Sequence, residues 1–191
     1  MAEGARWPRY TLAEYLILEE MSNVRHEYLD EHIFAMAGGT PEHGGLCANL
    51  IALLSNALAG RPCRVFTSDV RVRVRATGLD TYPDASVVCG RAERDVEDPN
   101  ALTNPTVLVE VTSPGTEAYD RGEKLEHYKR IPSLREVVIV AHAGIDVVGW
   151  RRRGSEEWVA ESAGPEGAAR LPSLSCELAV ADIYRNPLPS D

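Results

Sequence analysis

Residues 106–112 read Thr106-Val107-Leu108-Val109-Glu110-Val111-Thr112, an apolar and β-branched run broken by one carboxylate. Such a run is the signature of a strand covered on both faces. An unpaired carboxylate buried there costs several kcal/mol, a sizeable part of a domain's whole stability. Glu110 is therefore expected to be paired with a buried Arg or Lys, protonated, or bound to a cation. A second acid, Asp84, stands at the mouth of another apolar run, in Tyr82-Pro83-Asp84-Ala85-Ser86-Val87-Val88. Read alone, it is also compatible with a turn-forming Asp after proline. Two acids delivered by adjacent strands make a site for a hard cation. Mg²⁺ is the natural occupant, with Mn²⁺ as a substitute, because it is commonly held by one or two carboxylates together with phosphate oxygens.

A positive group is spaced to join them. Asp120, Lys124 and Tyr128 recur every four residues, so on a helix they form one stripe. Two readings of Lys124 follow. It reaches toward Glu110, where it would orient a water or hold the charge developing on a phosphate, or it lies on a solvated face beside Asp120. His43 reads as a polar neighbour of a helix cap. The rows Arg71, Arg73, Arg75 and Arg151-Arg152-Arg153 read as solvated strand charges, with phosphate contact as the alternative.

The elements that would position these groups follow from local pattern. Thr11 and Glu14 form a capping box at the start of a first helix. Residues 25–36 read as two short strands turning at Asp30-Glu31, where Glu31 replaces the usual hairpin glycine. Thr40 caps a second helix with Pro41 at its first position, and the helix runs through Leu46, Leu50, Leu54 and Leu58 to Gly60. Strands are expected at 63–67, 70–75, near Asp84, around Glu110 and at 136–141. A surface loop is expected over 91–104 and a helix over 116–130. A hairpin over 144–161 precedes a tail whose Leu178, Val180 and Ile183 dock on the body. Side chains alternate along a strand, so Leu108, Glu110 and Thr112 share one face. The helix between the last two core strands makes them parallel neighbours through a right-handed crossover. The class is α/β, a mixed β-sheet flanked by helices, with an N-terminal helix and hairpin and a C-terminal hairpin. One domain over 1–191 is expected, its core at about 40–142.

Composition bounds the partners. The 191 residues are 44% hydrophobic, enough for a sizeable core, and no apolar run approaches the ~20 residues of a membrane span. The N-terminus carries Glu3, Arg6 and Arg9 without an apolar core, which points to the cytoplasm. Cys47, Cys63, Cys89 and Cys176 are scattered without a CxxC pair, so reduced thiols are expected. The net charge of −9 argues against tight, non-specific nucleic-acid binding, which needs a basic face.

Pro83-Asp84 followed by Glu110 on the next strand resembles the PD-(D/E)XK nuclease superfamily. More closely, the chain resembles the bacterial Uma-two family of restriction-endonuclease-like proteins. The resemblance is carried by 38–43 (GGTPEH), 82–88 (YPDASVV), 109–116 (VEVTSPGT) and 120–128 (DRGEKLEHY), in order, over roughly 12–184. It implies a restriction-endonuclease-like core, Mg²⁺-dependent phosphodiester hydrolysis on nucleic acid, DNA first, and a homodimer. Asp84 and Glu110 match the metal-binding acids, and Glu27 matches a further acid upstream of the core. Glu27 would orient Lys124 or ligate a second ion. The superfamily's lysine falls two residues after Glu110, where this chain has Thr112, and Lys124 is the expected replacement. A catalytically inactive homodimeric module of the same fold is the competing expectation.

Overall fold

A computed structural model describes residues 8–36, 38–154 and 157–186, so Glu3 and Arg6 lie outside the described residues. Helix α1 (Leu12–Met21) opens on the expected capping box. The Thr11 N–H donates to Glu14 at 2.7 Å, and the Glu14 N–H donates to the Thr11 hydroxyl at 3.3 Å. Strands β1 (His26–Leu29) and β2 (His32–Ala35) form the N-terminal hairpin. Its turn places Asp30 and Glu31 at φ 54° and 66°. This is the left-handed pair that a two-residue hairpin requires, here adopted without glycine.

Helix α2 (Pro41–Ala57) is capped by Thr40 and followed by β3 (Cys63–Thr67), β4 (Arg71–Val74), β5 (Leu79–Thr81) and β6 (Ala85–Cys89). Next come β7 (Ala101–Leu102), β8 (Val107–Val111), helices α3 (Glu117–Arg121) and α4 (Glu123–Lys129), and β9 (Glu136–Val140). The hairpin β10 (Val147–Arg153) and β11 (Glu157–Ala163) precedes β12 (Ala168–Leu171), β13 (Cys176–Ala179) and α5 (Val180–Ile183).

The α/β class is as expected, with the strands divided between two main sheets. A six-stranded sheet has the order β11-β10-β9-β8-β6-β3, and a five-stranded one the order β2-β1-β5-β4-β7. Strands β8 and β9 are parallel, joined through α3 and α4, while β6 is antiparallel to β8. Both faces of β8 are covered. Val107, Val109 and Val111 pack with Leu46, Leu50 and Leu54 of α2, and with Leu171, Leu178, Val180 and Ile183 of the docked tail. Leu108 packs on the other face with Leu125, Tyr128 and Ile131. Each such aliphatic side chain contributes roughly 1.5–3 kcal/mol on full burial. No helix among the described residues is long and apolar enough to cross a membrane.

Four local expectations are corrected. The helix over 116–130 is broken at Gly122 (φ −113°, ψ −102°), where an added Cβ would lie 2.9 Å from the Ala118 carbonyl. The segment 91–104 is no plain surface loop, because Ala101 and Leu102 pair with β4 and, with Asp95 and Asp98, are buried. Those two acids, together with Asp80 of β5, explain the arginine row. Arg71 makes a two-point contact with Asp98 at 2.7 and 2.9 Å, Arg73 pairs with Asp80, and Arg75 meets Asp95 at 2.7 Å. Arg71 and Arg73 thus point into internal ion pairs, while Arg75, just past the end of β4, stays exposed and only its partner Asp95 is buried.

The fourth concerns the cysteines. Cys63 and Cys89 stand directly opposite on β3 and β6 and are joined by a disulfide, while Cys47 and Cys176 are free. Linear spacing hid the pair because the two cysteines, 26 residues apart, meet only through strand register. Closing a loop of that length stabilises a fold by about 2–4 kcal/mol. Reduction is therefore expected to lower the urea midpoint. Four reactive thiols in unreduced, denatured protein would refute the bridge, and since cytosolic disulfides are rare, that thiol count also bears on the compartment.

Candidate active site

The register of β6 on β8 builds the site. Ala85 pairs with Val109 and Ser86 with Leu108, so one step further Asp84 stands opposite Glu110, just beyond the start of β6. Pro83 precedes it with no amide hydrogen to place in a ladder. The backbone N–H of Val111 donates to Asp84 Oδ2 at 2.8 Å, which fixes that carboxylate at the end of the sheet where both faces are within reach. From the α2 side, His43 Nε2 approaches the same oxygen at 3.4 Å and the Val111 carbonyl at 3.1 Å. Hydrogen bonding to Asp84 raises the His43 pKa against the opposing effect of burial.

On the α4 side lies a cluster centred on Lys124. Its Nζ is 2.9 Å from Glu27, 3.1 Å from Glu110 and 3.6 Å from Asp120. All four are buried. The Tyr128 hydroxyl donates to Glu110, and the Thr81 hydroxyl to Glu27. The break at Gly122 does not destroy the stripe expected of one helix. Asp120 ends up on α3, with Lys124 and Tyr128 on α4, and all three converge.

The electrostatics are those of a crowded acid site. Burial, with the nearby Asp84 and Asp120 charges, outweighs the downward pull of Lys124 and leaves the Glu110 carboxyl raised to about 8. Burial also raises Asp120. Burial opposes the charge on Lys124, but Glu110, Tyr128, Glu27 and Asp120 together outweigh it and hold the amine protonated. Two hydroxyls on the same face of the sheet, Ser86 and Thr112, are buried without a hydrogen-bond partner.

A protein-family profile described as Uma2, "Putative restriction endonuclease", matches residues 12–181. The chain belongs to the Uma2 family. Two Synechocystis sp. proteins, slr1290 and sll1609, are similar to it. The first is 34% identical over 182 residues, covering 95% of each chain, and the second 29% identical over 149 residues, covering 78% of this chain and 84% of its own. The crystal structure of a "putative nuclease belonging to DUF820" from Anabaena variabilis aligns with a TM-score of 0.75 at 20% identity, over 91% of this chain and 97% of that one. That likeness shows a shared fold.

In this Uma2 chain the four residues singled out from sequence, Glu27, Asp84, Glu110 and Lys124, meet in one place. Of the two readings of Lys124, the solvated one is excluded by burial. Glu27, though it flanks a hairpin, is buried against Lys124. Asp120 and Tyr128 are full members of the cluster, and their four-residue spacing with Lys124 was the signal. Cys47, 3.6 Å from His43 Nδ1, went unremarked beside His43 although it lies one helical turn further on.

Proposed function

We propose that this Uma2 chain is a Mg²⁺-dependent endonuclease that hydrolyses phosphodiester bonds in nucleic acid, DNA in the first instance. The observation that supports it best is one buried ammonium, Lys124, held among three carboxylates, with Asp84 close enough to raise the pKa of Glu110. One cation does not balance that many acids, and the buried, unpartnered Ser86 and Thr112 hydroxyls add free oxygen atoms nearby. The residues therefore fit a divalent ion with oxygen ligands.

Asp84 and Glu110 would hold Mg²⁺, or Mn²⁺ in its place, and the bound ion would polarise the scissile phosphate and lower the pKa of a bound water. The chain's own groups do the rest. Protonated Lys124 presents a fixed positive charge to the phosphoryl oxygens as negative charge develops on them. Glu27 positions that ammonium, and the Tyr128 hydroxyl orients Glu110. Water forms the new bond to phosphorus, one ester P–O bond breaks, and the departing oxygen takes a proton. A homodimer in the cytoplasm, with the whole chain as one unit around a core at 40–142, belongs to the same reading, and light scattering checks the dimer.

Thr112 favours a second reading, a non-catalytic module of the same fold, since it stands where the superfamily has lysine. Metal linkage separates the two. A native-state ligand at 100 times its dissociation constant stabilises by about 2.7 kcal/mol. Mn²⁺ is expected to raise the melting temperature of wild type but not of Asp84→Ala, and the variant is expected to lose cleavage. If neither DNA nor RNA is cut with Mg²⁺ or Mn²⁺, and both proteins melt alike, the enzymatic reading fails.

A further inference from the structure

Behind Asp84, on the α2 face of the sheet, lies a donor set of a different kind. His43 and Cys47 are one turn apart on α2 and share a face. Cys47 Sγ lies 3.6 Å from His43 Nδ1, and His43 Nε2 lies 3.4 Å from Asp84 Oδ2. One donor atom from each of the three residues falls within 4.8 Å of the others. All three are half-buried, so the pocket is shielded yet open to an entering ion.

The imidazole is already oriented for ligation. The Val111 carbonyl, 3.1 Å from Nε2, can only accept, so Nε2 carries its hydrogen and Nδ1 holds the lone pair of the neutral ring. Nδ1 is the nitrogen facing Cys47. Pinning the distal N–H on a carbonyl or carboxylate is how metal-binding histidines are fixed in tautomer and direction. Gly39 keeps that side clear, since an added Cβ there would come within 2.9 Å of Nδ1.

We propose that His43, Cys47 and Asp84 form a binding site for a borderline-soft divalent cation of the Zn²⁺ and Co²⁺ class. Thiolate and imidazole select such ions over Mg²⁺, which takes oxygen ligands. Three protein ligands leave a fourth tetrahedral position for water. Asp84 is shared with the hard-cation site proposed above, but this site needs no nucleic acid and no turnover, so it stands apart from that reading.

Co²⁺ serves as the spectroscopic probe, added to the full chain without nucleic acid. A near-ultraviolet sulfur-to-cobalt charge-transfer band is expected, and Zn²⁺ should displace it. The band should vanish in Cys47→Ser and persist in Cys176→Ser. It should also persist in Glu110→Gln, which disables the proposed hard-cation site while leaving this one in place, so the two proposals fail separately. No sulfur band, or a band that survives Cys47→Ser, overturns the site. A second readout uses wild type alone, in case the serine variant misfolds. Zn²⁺ should slow alkylation of Cys47 severalfold, read by peptide mass spectrometry, and leave Cys176 unchanged. Equal labelling of Cys47 with and without Zn²⁺ also overturns it.

Discussion

Replacing Lys124 with methionine is expected to lower the unfolding free energy by about 3–5 kcal/mol near neutral pH, the usual cost of stripping one partner from a buried ion cluster. Methionine fills most of the same volume, so the loss would not come from a cavity. It would come from Glu27, Glu110 and Asp120, left facing one another with no cation among them. The sign of the pH dependence distinguishes this from a packing defect. Without Lys124 the Glu110 and Asp120 carboxyls, already raised by burial, have folded-state pKa values further above their unfolded ones, so their ionisation opposes folding. The stability deficit is then full at alkaline pH and shrinks as pH falls and the acids take up protons. Urea unfolding of wild type and Lys124→Met at pH 8 and pH 5 measures it. A deficit below about 1 kcal/mol, the range of a solvated surface pair, and equal at both pH values would show that Lys124 is not the keystone of the cluster.

The consequence for function is that this cluster is built in two layers. Glu27 and Asp120 hold Lys124 from one side, while Glu110 is held from the other by Lys124 and Tyr128. Asp84 is supported separately, by the Val111 N–H and His43. A cation at Asp84 and Glu110 would thus meet two carboxylates whose orientations are fixed by different elements, α4 for one and the end of β8 with α2 for the other. Support from fixed elements of this kind is what keeps a site within reacting geometry.

Much of this was legible in the chain. Glu110 betrayed itself because a carboxylate in a run of valines violates the pattern its neighbours set. The alternation rule then placed it on the face away from Val109 and Val111, the face the structure gives to α4. The parallel pairing of β8 and β9 followed from the helical pattern between them. What could not be read depended on distant partners. The internal pairing of Arg71 and Arg73 has no local signal, because their acids, Asp98 and Asp80, arrive from a segment that looks like loop in composition and from a neighbouring strand. The Cys63–Cys89 bridge depends on the register of two strands 26 residues apart. The division into two sheets depends on β5 pairing back to β1 and β4, through Tyr28 opposite Asp80 and Val72 opposite Thr81, and no local period encodes that. Gly122 was visible, but its close approach to the Ala118 carbonyl was not.

Glu110→Gln is expected to stabilise the metal-free protein at alkaline pH while removing its response to Mn²⁺. The Glu110 carboxyl has a folded-state pKa of about 8, against an ordinary value of 4.5, and burial is the main cause. A group raised in this way favours folding only while it is protonated. Its contribution is complete below the unfolded value and is lost as pH climbs through about 8. Glutamine has nearly the shape of the protonated acid, can still accept from the Tyr128 hydroxyl, and does not titrate. Wild type and variant should therefore be similar near pH 5, and the variant should be more stable near pH 9 by on the order of a few kcal/mol. The same substitution takes away one of the two proposed cation ligands, so the Mn²⁺-induced rise in melting temperature, and any cleavage, should disappear at every pH. A buried acid that destabilises the resting fold and yet stands at the centre of the proposed ion-binding cluster is what a trade between stability and activity predicts. A merely structural Glu110 would behave in the opposite way. Its glutamine variant would be less stable than wild type at pH 9 and would keep the full Mn²⁺ shift, and that pair of results would remove Glu110 from the site.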